Sequence, residues 1–103
     1  MADVKNLIDA KIAGKKVMVF SKTYCPFCTK AKKALANYNL TGDEYEIMEI
    51  ENDPNCQAIQ DYLLDITGGR SVPRVFINGK CIGGGDETAA LHSSGKLKSL
   101  LGK

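Results

Sequence analysis

Residues 17–28 read Val17-Met18-Val19-Phe20-Ser21-Lys22-Thr23-Tyr24-Cys25-Pro26-Phe27-Cys28. Four apolar, β-prone residues are followed by a polar turn, then by a cysteine, a proline and a second cysteine. A wholly apolar run of strand length fits a strand covered on both faces, as in a helix-covered sheet. Pro26 suits the first position of a helix, whose inner face would be Phe27, Ala31, Ala34, Leu35 and Tyr38 and whose outer face is rich in lysine. Strand, turn and helix in this order place Cys25 at the N-terminal edge of the helix.

Working outward, Asp3 followed by Val4, Leu7, Ile8 and Ile12 predicts a capped amphipathic helix that stops at Gly14. On the other side, Tyr45 to Ile50 reads as a second strand. Asp53-Pro54 opens a helix with Ile59, Leu63 and Ile66 inward, ended by Gly68-Gly69. Arg74 to Ile77 and Lys80 to Ile82 flank Asn78-Gly79, a strong short-range hairpin signal, and so predict antiparallel neighbours. Gly83-Gly84-Gly85 permits a tight turn, Asp86 is the expected cap of a further helix, and Lys96 to Leu101 closes the chain as a short helix. A β-α-β half followed by a hairpin and helices predicts an α/β architecture, one mixed sheet of about four strands with helices on both faces.

Composition narrows the function classes. A length of 103 residues suits one domain, and 44% apolar with 25% charged residues is ordinary for a globular chain. Fourteen Lys and Arg against twelve Asp and Glu leave a net charge of +2, interspersed along the chain, which does not suggest a nucleic-acid partner. No apolar run approaches the roughly 20 residues of a membrane span, and Met1 to Asn6 carries no signal-peptide core, so a cytosolic or organelle-lumen protein is expected, with the cytoplasm as the first choice.

Four cysteines are present, Cys25, Cys28, Cys56 and Cys81. A secreted disulfide framework is disfavoured by the lack of a secretory signal. Structural zinc would want a second C-x-x-C or a histidine pair, and His92 is the only histidine. The pair Cys25 and Cys28, by contrast, sits about one helical turn apart and can make and break a disulfide locally. Cys25 faces unsatisfied backbone N–H groups and the positive end of the helix dipole, with Lys22 nearby, and these favour thiolate over thiol. Cys25 is therefore the expected nucleophile towards a disulfide sulfur, and Cys28 or an outside thiol resolves the mixed disulfide. Cys56, Cys81, Met18 and Met48 read as packing residues, and His92 as a surface residue.

Four blocks in order then carry a resemblance. Phe20 to Cys28, Ile59-Gln60-Asp61-Tyr62-Leu63, Gly69-Arg70-Ser71-Val72-Pro73-Arg74-Val75-Phe76-Ile77, and Cys81-Ile82-Gly83-Gly84-Gly85-Asp86-Glu87-Thr88 are similar to the active-site segment, third helix, "TVP" loop and glycine-rich turn of glutaredoxins. The chain resembles the dithiol class of that family, in the thioredoxin superfamily, over nearly its whole length; thioredoxin itself would have a tryptophan before the first cysteine. The resemblance implies one thioredoxin-like domain over residues 1–103. It also implies glutathione-dependent reduction of protein disulfides and protein–glutathione mixed disulfides through Cys25 and Cys28. Glutathione would be the co-substrate, with no metal expected.

By position, the resemblance assigns Lys22, Gln60 and Arg70 to the glycine carboxylate of glutathione. The backbone of Val72, before a Pro73 expected to be cis, would pair with its cysteinyl residue. The N–H groups around Gly85 and Asp86 would take the γ-glutamyl carboxylate, and the side chains of Asp86 and Glu87 its amine. Ser71, Phe27 and Gly85 depart from the commoner Thr, Tyr, and Cys or Ser. The implied partners are glutathionylated or disulfide-bearing clients, among them ribonucleotide reductase, acted on by a monomer with no nucleic acid or membrane involved. The alternative is a [2Fe–2S] carrier or sensor, its cluster held in a dimer by Cys25 and glutathione, against which Pro26 argues because its rigid ring fixes the backbone beneath the thiol.

Overall fold

Alternation along β1 (Val17–Ser21) sends Val17 and Val19 to one face of the sheet and Met18 and Phe20 to the other, and all four are fully buried. The structure, a computed structural model, describes residues 3–103. Around β1 the chain forms α1 (Asp3–Gly14), α2 (Pro26–Leu35), a 3₁₀ turn (Ala36–Tyr38), β2 (Tyr45–Glu49), α3 (Cys56–Thr67), β3 (Arg74–Ile77), β4 (Lys80–Gly83), α4 (Gly85–Ser94) and α5 (Lys96–Leu101). No helix among the described residues is long and apolar enough to cross a membrane.

The sheet order is β2-β1-β3-β4. β1 pairs parallel with β2, which requires the α2 crossover, and antiparallel with β3, which pairs antiparallel with β4. This is the four-stranded mixed sheet, flanked by helices, that the sequence predicts. Asn78 and Gly79 turn the hairpin with φ of 53° and 83°, the left-handed pair that a two-residue turn matching the strand twist demands.

Each face has its own core. Val17, Val19, Val75 and Ile77 pack with Ala31, Ala34 and Leu35 of α2 and with Leu97 and Leu101 of α5. Met18, Phe20 and Phe76 pack on the other side with Ile8 of α1 and with Ile59 and Leu63 of α3. Phe20 meets Phe76 edge to face, centroids 5.8 Å apart, a favoured aromatic geometry.

Several sequence expectations give way to geometry. Leu7 and Ile66 are exposed: the inward row of α1 is Val4, Ile8 and Ile12 at four-residue steps, and Ile66 lies in the last turn of α3. Phe27 is 52% exposed: its backbone lies close against Gly85 of α4, and the residue borders an open groove rather than the core. The third helix begins at Cys56 rather than Asp53-Pro54, since the Asp53 carboxylate accepts the Asn55 N–H at 2.7 Å and makes a turn there. Asp86 is not the cap of α4. Gly84 holds that position, and Glu87 reaches back to accept its N–H at 2.8 Å.

Candidate functional site

At the carboxyl ends of β1 and β2 the chain leaves the sheet, and the loop after β1 delivers both thiols. Cys25 is the residue capping α2: its Sγ accepts the Cys28 N–H at 3.2 Å, and Pro26 follows as the first helical residue. Its thiol also donates to the Val72 carbonyl at 3.6 Å, across a cis Val72–Pro73 bond. All four cysteines are free. Once Cys25 is a thiolate it has no proton to donate, so the Val72 carbonyl is released to another donor while the Cys28 N–H continues to serve the sulfur.

Cys28 is fully buried beneath this loop, and its sulfur accepts the Lys22 N–H at 3.4 Å. Burial first, and then the contact with Cys25, push its thiol above the ordinary cysteine range, against the opposing pull of the Lys22 N–H and Ser21. The two sulfurs are thus unequal: one is partly exposed at a helix N-terminus, the other sheltered and held protonated.

Two flanks border Cys25. On one, Lys22 Nζ donates to Gln60 Oε1 at 3.3 Å, and Gln60 Nε2 donates to the Arg70 carbonyl at 3.1 Å. Gln60 is only 6% exposed, so its amide spaces Lys22 from the Arg70 loop. The Arg70 guanidinium is turned onto α3, bonded to Asp61 at 3.0 Å and to Gln57. On the other flank a groove of about 290 Å³ runs between Phe27, Val72-Pro73 and Gly84 to Glu87. Gly85 and Asp86 open the first turn of α4 there, and an ion pair joins Asp86 Oδ1 to Lys30 Nζ at 2.6 Å. Cys25 itself touches Cys28 and Val72; Lys22, Gln60 and the Arg70 main chain form one line of hydrogen bonds, Pro73, Gly85, Asp86 and Glu87 line the groove, and the Arg70 guanidinium is directed away onto α3.

Three side chains escaped the sequence reading. Arg74, directly after Pro73, donates to the Pro73 carbonyl at 3.1 Å and lines the groove. Lys30 belongs to a lysine-rich helix face that looks purely solvent-directed in sequence. Glu51 accepts both the Thr23 N–H at 3.2 Å and its hydroxyl at 2.5 Å, tying the loop before Cys25 to the one after β2. Those bonds hold the Glu51 carboxyl below the usual carboxylate range. Because folding lowers this pKa, the tether is complete above the ordinary glutamate range and is lost as pH falls through the lowered value. Glu51→Gln should therefore melt below wild type at neutral pH, with the gap closing as pH drops under about 4. Melting curves of both proteins across that range check this.

Elsewhere the molecule offers less chemistry. A concavity of about 740 Å³ lies between α1, the end of α3 and the β3–β4 hairpin and includes Ile12, Phe76 and Cys81. Cys81 pairs in register with Phe76, which pairs with Met18, so it sits toward the end of the sheet away from Cys25. Cys56 donates to Gln60 Oε1 at 3.5 Å. His92 is half-buried rather than a free surface residue, with Nδ1 2.6 Å from Tyr38 Oη, linking α4 to the 3₁₀ turn after α2. Among the described residues no three His, Cys, Asp or Glu side chains lie together as a metal-ligand set.

Comparison with known proteins agrees with this geometry. The family model for Glutaredoxin matches residues 17–82. A glutaredoxin from Ricinus communis is 47% identical over 101 residues, covering 98% of this chain and 92% of that one. The crystal structure of oxidized glutaredoxin 2 from Chlamydomonas reinhardtii superposes with a TM-score of 0.91 at 56% identity, covering 98% of this chain and 92% of its own. A buckwheat glutaredoxin–glutathione complex superposes with a TM-score of 0.87 at 36% identity, covering 96% and 87%.

Proposed function

This chain belongs to the glutaredoxin family, and from that premise we propose that it reduces protein–glutathione mixed disulfides and protein disulfides at the expense of glutathione. One observation carries the reading: an accessible Cys25 Sγ at a helix N-terminus directly above a buried Cys28. The Cys25 thiolate attacks the glutathionyl sulfur of a client mixed disulfide; the old S–S bond breaks, and the client sulfur leaves with the electron pair and takes up a proton. The thiolate of a second glutathione then attacks the glutathionyl sulfur on Cys25, forming oxidised glutathione and returning Cys25.

With a client disulfide the leaving sulfur stays on the same protein, and Cys28 completes the exchange. Its thiol gives up a proton and attacks Cys25 Sγ, releasing the reduced client and leaving a Cys25–Cys28 disulfide that two glutathiones reduce. The glutathionyl moiety fits between the two flanks. Lys22 supplies a cation for its glycine carboxylate, and Arg70 a second once its guanidinium leaves Asp61 and Gln57, with Gln60 between them. Val72 supplies a main-chain partner for its cysteinyl residue. The α4 N-terminus, at Gly85 and Asp86, supplies N–H donors for its γ-glutamyl carboxylate. The complex of the buckwheat relative with glutathione supports this ligand. The cluster-carrier alternative is the weaker reading, since Pro26 is fixed as the first helical residue beside Cys25.

The test is Cys28→Ser with glutathione as the only reductant. The variant is expected to keep deglutathionylating a peptide within about tenfold of wild type, because that route needs one thiol, and to lose reduction of a client disulfide. Loss of both activities, in a variant that melts like wild type, would overturn the assignment of Cys25 as sufficient for the glutathionyl route.

A further inference from the structure

Lys30 lies in the second turn of α2, its Nζ 2.6 Å from Asp86 Oδ1 and 6.0 Å from the centre of the Phe27 ring. Phe27 and Asp86 both border the groove beside Cys25. The ammonium therefore stands at the groove's α4 end, on the carboxylate that a primary amine entering the groove would seek. Glu87 is the less available carboxylate, because its Oε1 is already engaged by the Gly84 N–H.

Resting on the glutathione reading, we infer that Lys30 is a specificity-determining residue whose ammonium occupies the amine position at Asp86, so that the enzyme is nearly indifferent to the α-amino group of a γ-glutamyl substrate. Binding of the amine at Asp86 is an exchange. Lys30 and the substrate amine are both ammonium groups with three donors, competing for one carboxylate. What the substrate amine gains at Asp86 is offset by what Lys30 gives up. Both side chains are largely solvated, 49% and 64% exposed, so the two pairs are similar in strength and both weak. A substrate without the amine leaves the Lys30–Asp86 pair intact and loses little.

Two mixed disulfides of one client peptide test this: one with glutathione, the other with glutaryl-Cys-Gly, which lacks only the α-amino group. Wild type should turn over both with kcat/KM within about twofold, whereas Lys30→Met should favour the glutathione form by about fivefold, the worth of one exposed ion pair. Lys30→Arg, which restores the cation, should rank them as wild type does, and Lys30→Met/Asp86→Asn should lose the preference. The inference is overturned if Lys30→Met ranks the two peptides as wild type does, or if wild type already prefers glutathione by fivefold. Failure of the parent reading looks different: wild type would be inert towards both peptides.

Discussion

Cys25→Ser brings glutathione-driven deglutathionylation of a peptide down to the uncatalysed background while leaving the fold intact. Both halves of that expectation come from the same position. As the residue capping α2, Cys25 accepts the Cys28 N–H through its side chain, and a serine hydroxyl does that at least as well. Stability should hold or rise. Reactivity cannot survive, because a hydroxyl becomes a nucleophile only with a general base beside it. The sole histidine, His92, is bound to Tyr38 near the other end of α4. Single-turnover kinetics together with intact-mass detection of the glutathionyl adduct decide the matter. Residual turnover or an adduct in this variant would transfer the nucleophile's role to Cys28, Cys56 or Cys81.

Gly85→Ala is expected to be the most damaging single methyl group added near the site. A Cβ built on Gly85 falls 2.4 Å from the Phe27 carbonyl oxygen and 3.1 Å from its Cα. Those are backbone atoms of α2, which have no rotamer to yield, so α4 must back away from α2. Overpacking of this kind costs about 1–3 kcal/mol, and in a chain of this size it lowers the melting temperature by roughly 5–15 °C. The same displacement widens the groove between Phe27 and Asp86, so KM for the glutathionyl substrate should rise more than kcat falls. Gly42→Ala is the control, since nothing lies within 4 Å of its Cβ position. Equal melting temperatures for the two variants would mean that α4 tolerates the methyl in place.

The close approach also explains a departure noted in the sequence. A residue with a Cβ, such as Cys or Ser, at the Gly85 position requires α4 to sit further from α2, so Gly85 and the Gly85–Phe27 contact belong together.

Much of this was legible from residues alone. The apolar run at Val17, the Asn78-Gly79 turn and the Cys25-Pro26 step each encode their conformation locally, and each matches the structure. What escaped depends on which elements meet. Nothing near Lys30 announces Asp86, and nothing near Thr23 announces Glu51, because each pair is joined by the sheet topology and not by sequence spacing. Helical periodicity placed Phe27, Leu7 and Ile66 inward because it finds an apolar stripe without showing where the neighbouring element ends. The misplaced cap of α4 has a different origin. Asp86 has the right chemistry for a cap, but Glu87, three residues after Gly84, performs the reverse bond and makes Gly84 the boundary.

The pairing of β1 with β3 has a consequence for assembly. The unit from β1 through α2 to β2 and the β3–β4 hairpin are each local in sequence, yet Val17 pairs with Ile77 from the far part of the chain, and both cores contain residues of β3. Neither segment can enclose an apolar layer alone, because the strand that completes both layers belongs to the other. Loop closure across α2, β2 and α3 precedes the gain from either core. Folding should thus be all-or-none, and a helix-start cysteine poised for exchange would exist only in chains that have finished both layers.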